Sequence, residues 1–461
     1  MMKNAKVPGL NDHPSTSSQS SFPSFAGRNL TGLRLNAGHD GNRQTKRRKY
    51  GRLGRRDGSS HFRSIVNYCL IAIGVGILAL PKAIAQAGWI IGVLLLILAA
   101  GLAQYAMVLL YKSMRITAAD GISPTFQAVG KDAFGVVGMV FVSFVVYLDL
   151  VFVCALLVIL VGDGMETLVP SVDTFWWKLI FTLIMLPLSW LPSLKEVAFV
   201  SAIGVGATIV TCIAVVGASA REIAEPITEK THSVWPLSLM DAVVALTNFF
   251  FAFTVAPVIP TLVVDMRKPE DFPKISGIAL IVISVVFAII GFAGYLGFGT
   301  DLVTYPNISE AIAHGRSSND WLLIIVEAAI EVVCFSHFLV MLNPVSIAVE
   351  DVIKVVSKKQ SVSWWLKIMA RSLLVFFCFA IAVLIPAFSK LVDLISATLC
   401  VFLQLIFPVG FYWVLTKRSG EKVKVYRNRW FKYGEYAVML FCIVLGVFSG
   451  VIGTWSVISS W

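Results

Sequence analysis

Two glutamates, Glu327 and Glu331, stand four residues apart in an apolar run, so on a helix they share one face. Carboxylates that close together repel, and burial disfavours both charges. Such a pair is suited to taking up and releasing a proton. A third acid, Asp149, sits in the middle of another apolar run, "YLDLVFVC". An ionisable side chain at a bilayer centre costs about 2.5–3.5 kcal/mol on insertion scales, so each one needs a reason to be there. Asp149, Glu327 and Glu331 are therefore the candidate ion-coupling residues. Two plainer readings stand beside this one. Asp149 could bond a neighbouring backbone group or Tyr147, and Glu327, nearer a span end, could meet water in a vestibule. His337, further along the same run, reads as an interhelical donor. Arg371 reads as snorkelling, and Asp241, Lys390 and Asp393 as interfacial.

The elements that must position these groups are membrane spans. The chain has 461 residues, 57% of them hydrophobic and 14% charged, a balance that marks an all-α polytopic membrane protein. The short alternating segments of a transmembrane barrel are absent. About eleven spans are expected near 63–86, 88–111, 135–161, 175–191, 196–219, 239–264, 275–298, 321–347, 366–386, 391–415 and 435–457. The net charge of +11 gathers in the N-terminal segment and certain loops, which argues for topology and against nucleic acid. With the N-terminus in the cytosol, alternate loops carry the basic residues, such as Lys112, Arg115, Arg267, Lys268 and Lys354. The opposite loops carry Asp163, Glu166, Glu222, Asp301, Glu310 and Asp320. An odd number of spans then places the C-terminus in a lumen or outside the cell.

Two spans carry their own breakers. "IAIGVGILALPKA", 71–83, has Gly74, Gly76 and Pro81; "NFFFAFTVAPVIP", 248–260, has Pro257 and Pro260. Lipid offers a backbone no hydrogen-bond partner, so unwound chain is tolerated only where it faces protein or a cavity. The two spans are the first and sixth, five apart, as in the inverted repeats of secondary transporters. Their half-helix N-termini would attract a carboxylate, and the free carbonyls an ammonium or a cation. Glycine packing and ordinary proline kinks are the alternative. The candidate substrate-binding residues are Asn67, Gly74, Val75, Gly76, Phe251, Phe253 and Thr254. Asn67 lies two turns before the break, and one phenylalanine of the sixth span could close over the substrate.

Residues 1–60 are rich in Ser, Gly, Asn and basic residues and read as a disordered basic cytosolic tail; residues 61–461 form the transmembrane domain. The run "KRRKYGRLGRR", 46–56, reads as a topology anchor touching anionic lipid. The seven cysteines all fall in apolar spans without C-x-x-C spacing, which gives neither a disulfide framework nor a zinc site. Asn307-Ile308-Ser309 is a glycosylation acceptor on the non-cytosolic side; Asn29-Leu30-Thr31 would be silent in the cytosol.

"GVGILALPKAIAQAGW", 74–89, resembles the first-span signature of the amino acid/auxin permease family. "YLDLVFVCALLVILVGDG", 147–164, is similar to the third span of its vacuolar and vesicular branch, and Pro260 with "DMRKPEDFP", 265–273, resembles the end of its sixth span. The resemblance runs from about residue 60 to the C-terminus. It implies a five-plus-five inverted repeat of the LeuT type plus one helix. It also implies transport of amino acids or close relatives, driven by protons or in some branches by sodium. Two positions depart from the family pattern. Leu70 stands where members often have a second asparagine that helps hold sodium, which favours protons. Ala256 stands where a histidine is common, which loosens any carry-over of substrate preference.

The expected function is thus proton-coupled amino acid transport by alternating access, as symport or antiport, in a vacuolar or other endomembrane. No cofactor is expected beyond the coupling proton. The alternative is an amino acid sensor that signals through its cytosolic tail. An enzyme is not expected, since no H-E-x-x-H, G-x-S-x-G or phosphate loop is present. The substrate's side chain and the oligomeric state have no signal in the sequence.

Overall fold

The structure is a computed structural model that describes residues 53–54, 58–119, 122–190, 194–227, 229–358, 363–385, 387–419 and 429–459. Most of the basic tail and the Asn29 sequon lie outside the described residues. Among those described, helix is the only extended element. Eight helices are long and apolar enough to cross a membrane, and one bent pair makes a ninth span. Two shorter apolar helices, Thr174–Ser189 and Leu239–Phe253, occupy the fourth and sixth places and complete the eleven.

The first span is His61–Ala72 followed by Val75–Ala87, bent by 53°. The second is Trp89–Ala119, the third Phe126–Leu168, the fourth Thr174–Ser189 and the fifth Leu194–Ala224. The sixth is Leu239–Phe253 followed by Ile259–Asp265, and the seventh is Phe272–Phe298. A short helix, Ile308–Ala313, precedes the eighth span, Trp321–Ser357. The ninth is Trp364–Leu384, the tenth Phe388–Arg418 and the eleventh Arg429–Ser459. The third span starts well before residue 135, where the sequence placed it. Thr125 caps it by accepting from the Ala128 amide at 3.1 Å, and the chain kinks at Gly135, whose φ is 74°. The tenth span widens into π-helix over Ser396–Cys400 and again over Phe402–Ile406.

The helices pack as two interlocked halves. The third span packs on the eighth, the second on the seventh, the fourth on the ninth, and the first on the sixth. Several of the other contacts have a counterpart five spans along. Fifth on eighth matches tenth on third, first on seventh matches sixth on second, and second on tenth matches seventh on fifth. Five is odd, so the second set of spans crosses in the opposite direction. This is the inverted five-plus-five repeat, with the eleventh span laid against the sixth and tenth. Outside this core, exposed side chains such as Val137, Phe144, Ile281, Leu373 and Val451 form an apolar belt, the surface lipid would cover.

The chain leading into the first span is fastened to the end of the sixth. Ser59 N–H donates to the Asp265 carbonyl at 2.8 Å, and Arg267 N–H to the Ser59 carbonyl at 3.1 Å, a short parallel bridge. The Ser59 hydroxyl donates to Asp265 Oδ2 at 2.7 Å, and His61 faces Asp271 at 3.0 Å. A Cβ on Gly58 would stand 2.5 Å from the Asp265 carbonyl oxygen, so the approach needs glycine there.

Gly88 ends the first span at φ 73°, and a Cβ there would lie 2.6 Å from the Trp235 carbonyl oxygen. Gly88→Ala should cost about 1–3 kcal/mol and lower the melting temperature of the purified protein. Gly101→Ala, with nothing within 4 Å of its Cβ, should not.

Candidate functional site

The first span loses its helix at Ile73 and Gly74, where φ/ψ are −82/92° and −136/−150°. The second half resumes as a 3-10 turn, Val75–Ala79. The opening amides of a helix have no acceptor inside it. Among the described residues no other bond takes the amides of Gly74, Val75 and Gly76. The sixth span stops at Phe253 and resumes at Ile259. Pro257 lies in the gap with no N–H to give, and Pro260 sits in the first turn of the second half, where its missing donor costs nothing. The Thr254 hydroxyl turns back to the Phe250 carbonyl at 2.6 Å, while the Val255 and Ala256 amides take no backbone acceptor.

The two breaks touch. A Cβ on Gly76 would lie 3.3 Å from Ala252 Cα and 3.4 Å from the Phe251 ring. On its other side the first break borders a narrow cleft lined by Gly74, Val75, Leu160, Thr208, Thr211 and Cys334, from the first, third, fifth and eighth spans. The cleft has room for about one water molecule. His337 reaches the same break: a Cβ on Gly74 would stand 3.7 Å from its Nε2. Its Nδ1 faces the Val333 carbonyl at 3.1 Å, so its bond is within its own helix and not between helices.

Of the seven candidate substrate residues, the structure gathers Gly74, Val75, Gly76, Phe251 and Thr254 around the breaks. Asn67 is half-buried two turns away and does not line the cleft. Phe253 turns from the break into the core, 1% exposed, with its ring 5.1 Å from that of Phe287 on the seventh span.

The acids fall in two places. Asp149 is buried mid-span, and the thiol of Cys400 on the tenth span donates to its Oδ1 at 3.7 Å. Glu327 and Glu331 lie beside the far end of the third span. A Cβ on Gly164 would stand 2.7 Å from Glu327 Oε2 and 2.9 Å from Glu331 Oε1, so this glycine leaves the space that both carboxylates fill. Among the described residues neither carboxylate makes a close hydrogen bond; the Ser309 side chain stands beside Glu327. Glu327 is 1% exposed, which corrects the vestibule reading: it is enclosed and not bathed. Asp163 and Glu310 are its charged neighbours. Asp163 is paired with Lys178, itself buried in the fourth span, at 3.5 Å. Lys82 of the first span donates to the Tyr305 carbonyl at 3.0 Å on the same side.

Three further expectations need correction. Arg371 does not snorkel: it is buried, donating to Glu350 at 3.0 Å and to the Ser189 carbonyl at 2.8 Å. Asp393 is not interfacial but accepts from the Asn248 amide at 2.7 Å, joining the tenth span to the sixth. Asn307 is 1% exposed. Its Oδ1 caps the helix Ile308–Ala313 by accepting from Ser309 and Glu310, and its Nδ2 faces Glu310. A sugar on that nitrogen has no room in the fold. The sequence reading also passed over Gly164, Lys178, Asn248 and Cys400, each of which acquires its meaning from a residue on a different span.

The family model described as "Transmembrane amino acid transporter protein" matches residues 57–459. The chain belongs to that family. The family is one of transporters and not of enzymes. Among curated relatives from Arabidopsis thaliana, amino acid transporter AVT1C is 26% identical over 416 residues, covering 87% of this chain and 70% of that protein. Amino acid transporter AVT1I is 26% identical over 409 residues, covering 86% of this chain and 94% of that protein. Among solved structures, the chain is similar to a substrate-bound, outward-open Na+-coupled sialic acid symporter. The TM-score is 0.49 at 15% identity, over 84% of this chain and 89% of that one.

Two outcomes follow from the far side. Asn307→Gln should leave electrophoretic mobility unchanged, with or without endoglycosidase; a mobility shift in the unaltered chain would contradict the buried cap. Glu310, outside the spans, is pushed up to about 7, first by burial and then by the charge of Asp163, with Lys82 opposing. A carboxyl raised above its unfolded value binds its proton more tightly in the fold. Its contribution therefore favours folding at low pH and is lost as pH rises from about 4.5 to about 7. Melting measured across that window should fall with rising pH, and Glu310→Gln should flatten the slope.

Proposed function

We propose that this chain is a secondary active transporter of amino acids, coupled to protons and working by alternating access. The observation that carries the reading is the meeting of two broken spans at Gly76 and Ala252, with unclaimed amides on both. Half-helix N-termini favour a carboxylate, and the freed carbonyls opposite favour an ammonium, which together fit the backbone end of an amino acid. The narrow cleft beside Gly74 holds no amino acid in this conformation, so binding needs the first span to move relative to the third, fifth and eighth.

Protons are the favoured coupling ion. Glu327 and Glu331 are enclosed and, among the described residues, without a close hydrogen bond, an arrangement far less costly when at least one holds a proton than when both are charged. Asp149 is a third acid, joined through Cys400 to the neighbourhood of Thr254 at the sixth break. Leu70, lying where sodium-coupled relatives often place an asparagine, argues in the same direction. The charge pattern of the loops supports a cytosolic N-terminus and a lumenal or extracellular C-terminus, with the basic tail against anionic lipid. The resemblance to the vacuolar branch supports an endomembrane.

Uptake of a labelled amino acid mixture into proteoliposomes tests this, with and without a proton gradient and with sodium replaced by choline. The expected result is accumulation that follows the proton gradient, ignores sodium and collapses at least about tenfold in Glu331→Gln. A sodium requirement would defeat the coupling claim while sparing the transporter. Saturable binding without uptake under any gradient would turn the reading to a sensor.

A further inference from the structure

Asp149 is a mid-span acid whose neighbour, Cys400, adjoins the sixth-span break. It is 9% exposed and, among the described residues, its side-chain partner is the thiol of Cys400, 3.7 Å from Oδ1. Among the described residues, no cation and no second carboxylate acts on it from the second, fourth, eighth, ninth or tenth spans or from Ile308–Ala313; Cys400 is the titratable side chain beside it. Beside the same thiol lies the hydroxyl of Thr254, the first residue past the sixth-span helix, which donates to the Phe250 carbonyl at 2.6 Å. Cys400 therefore stands between a buried acid on the third span and the unwound chain of the sixth.

The helix that carries Cys400 is built to let it move. Cys400 ends the first of two π-helical stretches, Ser396–Cys400 and Phe402–Ile406. Such stretches are rare and concentrate at functional sites, because they interrupt the regular hydrogen-bond ladder. One end of this one is held: the Ser396 hydroxyl donates to Asn248 at 2.8 Å, and Asn248 donates to Asp393 at 2.7 Å. The other end is not. Gln404 is 1% exposed, and neither atom of its amide has a partner. A buried amide left unbonded costs about 1–3 kcal/mol, an expense that a second arrangement of this helix could remove.

We propose that Cys400 is a positioning residue that couples the protonation of Asp149 to the sixth-span break. This rests on the reading of the chain as proton-coupled. With Asp149 ionised, the thiol donates its S–H to Oδ1. When the carboxyl takes a proton it no longer needs that donor, and the thiol turns to Thr254. A thiol suits the task because it is a weak donor and a weak acceptor, so neither contact traps it. Cysteine here is thus more than a small filler of the core.

The test uses the full-length chain in proteoliposomes, with amino acid uptake measured against pH. The expected result for Cys400→Ala is a pH midpoint moved upward by about 0.4–1 unit, the size of one lost hydrogen bond. Cys400→Ser should restore the midpoint, and Asp149→Asn should flatten the profile. Should Cys400→Ala fail to fold, the S–H infrared band offers a second measurement. The part of that band absent from Cys400→Ser should shift as the unaltered protein is titrated, and should stay fixed in Asp149→Asn. A flat Asp149→Asn profile with an unmoved Cys400→Ala midpoint, or a band that ignores pH, overturns the role of Cys400 and leaves proton coupling standing. A normal profile in Asp149→Asn overturns this inference and leaves coupling to Glu327 and Glu331. Uptake in the unaltered chain that ignores the gradient overturns the reading beneath both.

Discussion

A backbone that leaves its helix inside a membrane exposes amides and carbonyls that lipid will not bond. Everything around the first and sixth spans serves to keep those groups from lipid. The third and eighth spans stand between the breaks and the outside, the second and seventh close the other flank, and the breaks cover one another at Gly76 and Ala252. Because the amides are enclosed but unclaimed, they hold a polar opening in an apolar molecule. Leaving such amides unpaired costs of the order of 1–3 kcal/mol each.

The same logic extends to the acids. Charges buried without partners are expensive, and several buried charges among the described residues are paired: Arg371 with Glu350, Lys178 with Asp163, and Glu222 with Arg316 at 2.6 Å. Against that background Glu327 and Glu331 have no ion partner among the described residues, and both turn toward a glycine on the third span.

The breaks were legible in the sequence because glycine and proline announce themselves locally. The glutamate pair was legible because two positions on one helix share a face by spacing alone. The eleven spans followed from apolar length, although the fourth and sixth are too short to be secure by length. What could not be read is whatever depends on a second span. Asp393 and Arg371 looked like residues at span ends, yet Asn248 and Glu350, brought there by tertiary packing, bury them in bonds. The sequon at Asn307 is a three-residue pattern that says nothing of burial, and its asparagine is used as a helix cap. Phe251 and Phe253 differ only in which way they face, one to the break and one to the core. The π-helical stretch of the tenth span has no residue signature; it is set by what the helix must touch.

The short bridge between Ser59 and Met266 carries a consequence for any work on the N-terminal region. The basic segment does not simply hang from the first span; its last residues are hydrogen-bonded to the foot of the sixth, the other broken one. Shortening the chain is therefore two different operations. Removal up to residue 52 leaves the Ser59 bridge in place, whereas removal up to residue 60 unfastens the two half-helices from each other. A loss of function seen with the longer deletion would reflect a loosened hinge as much as a missing signal, and only the shorter one reports on the tail itself.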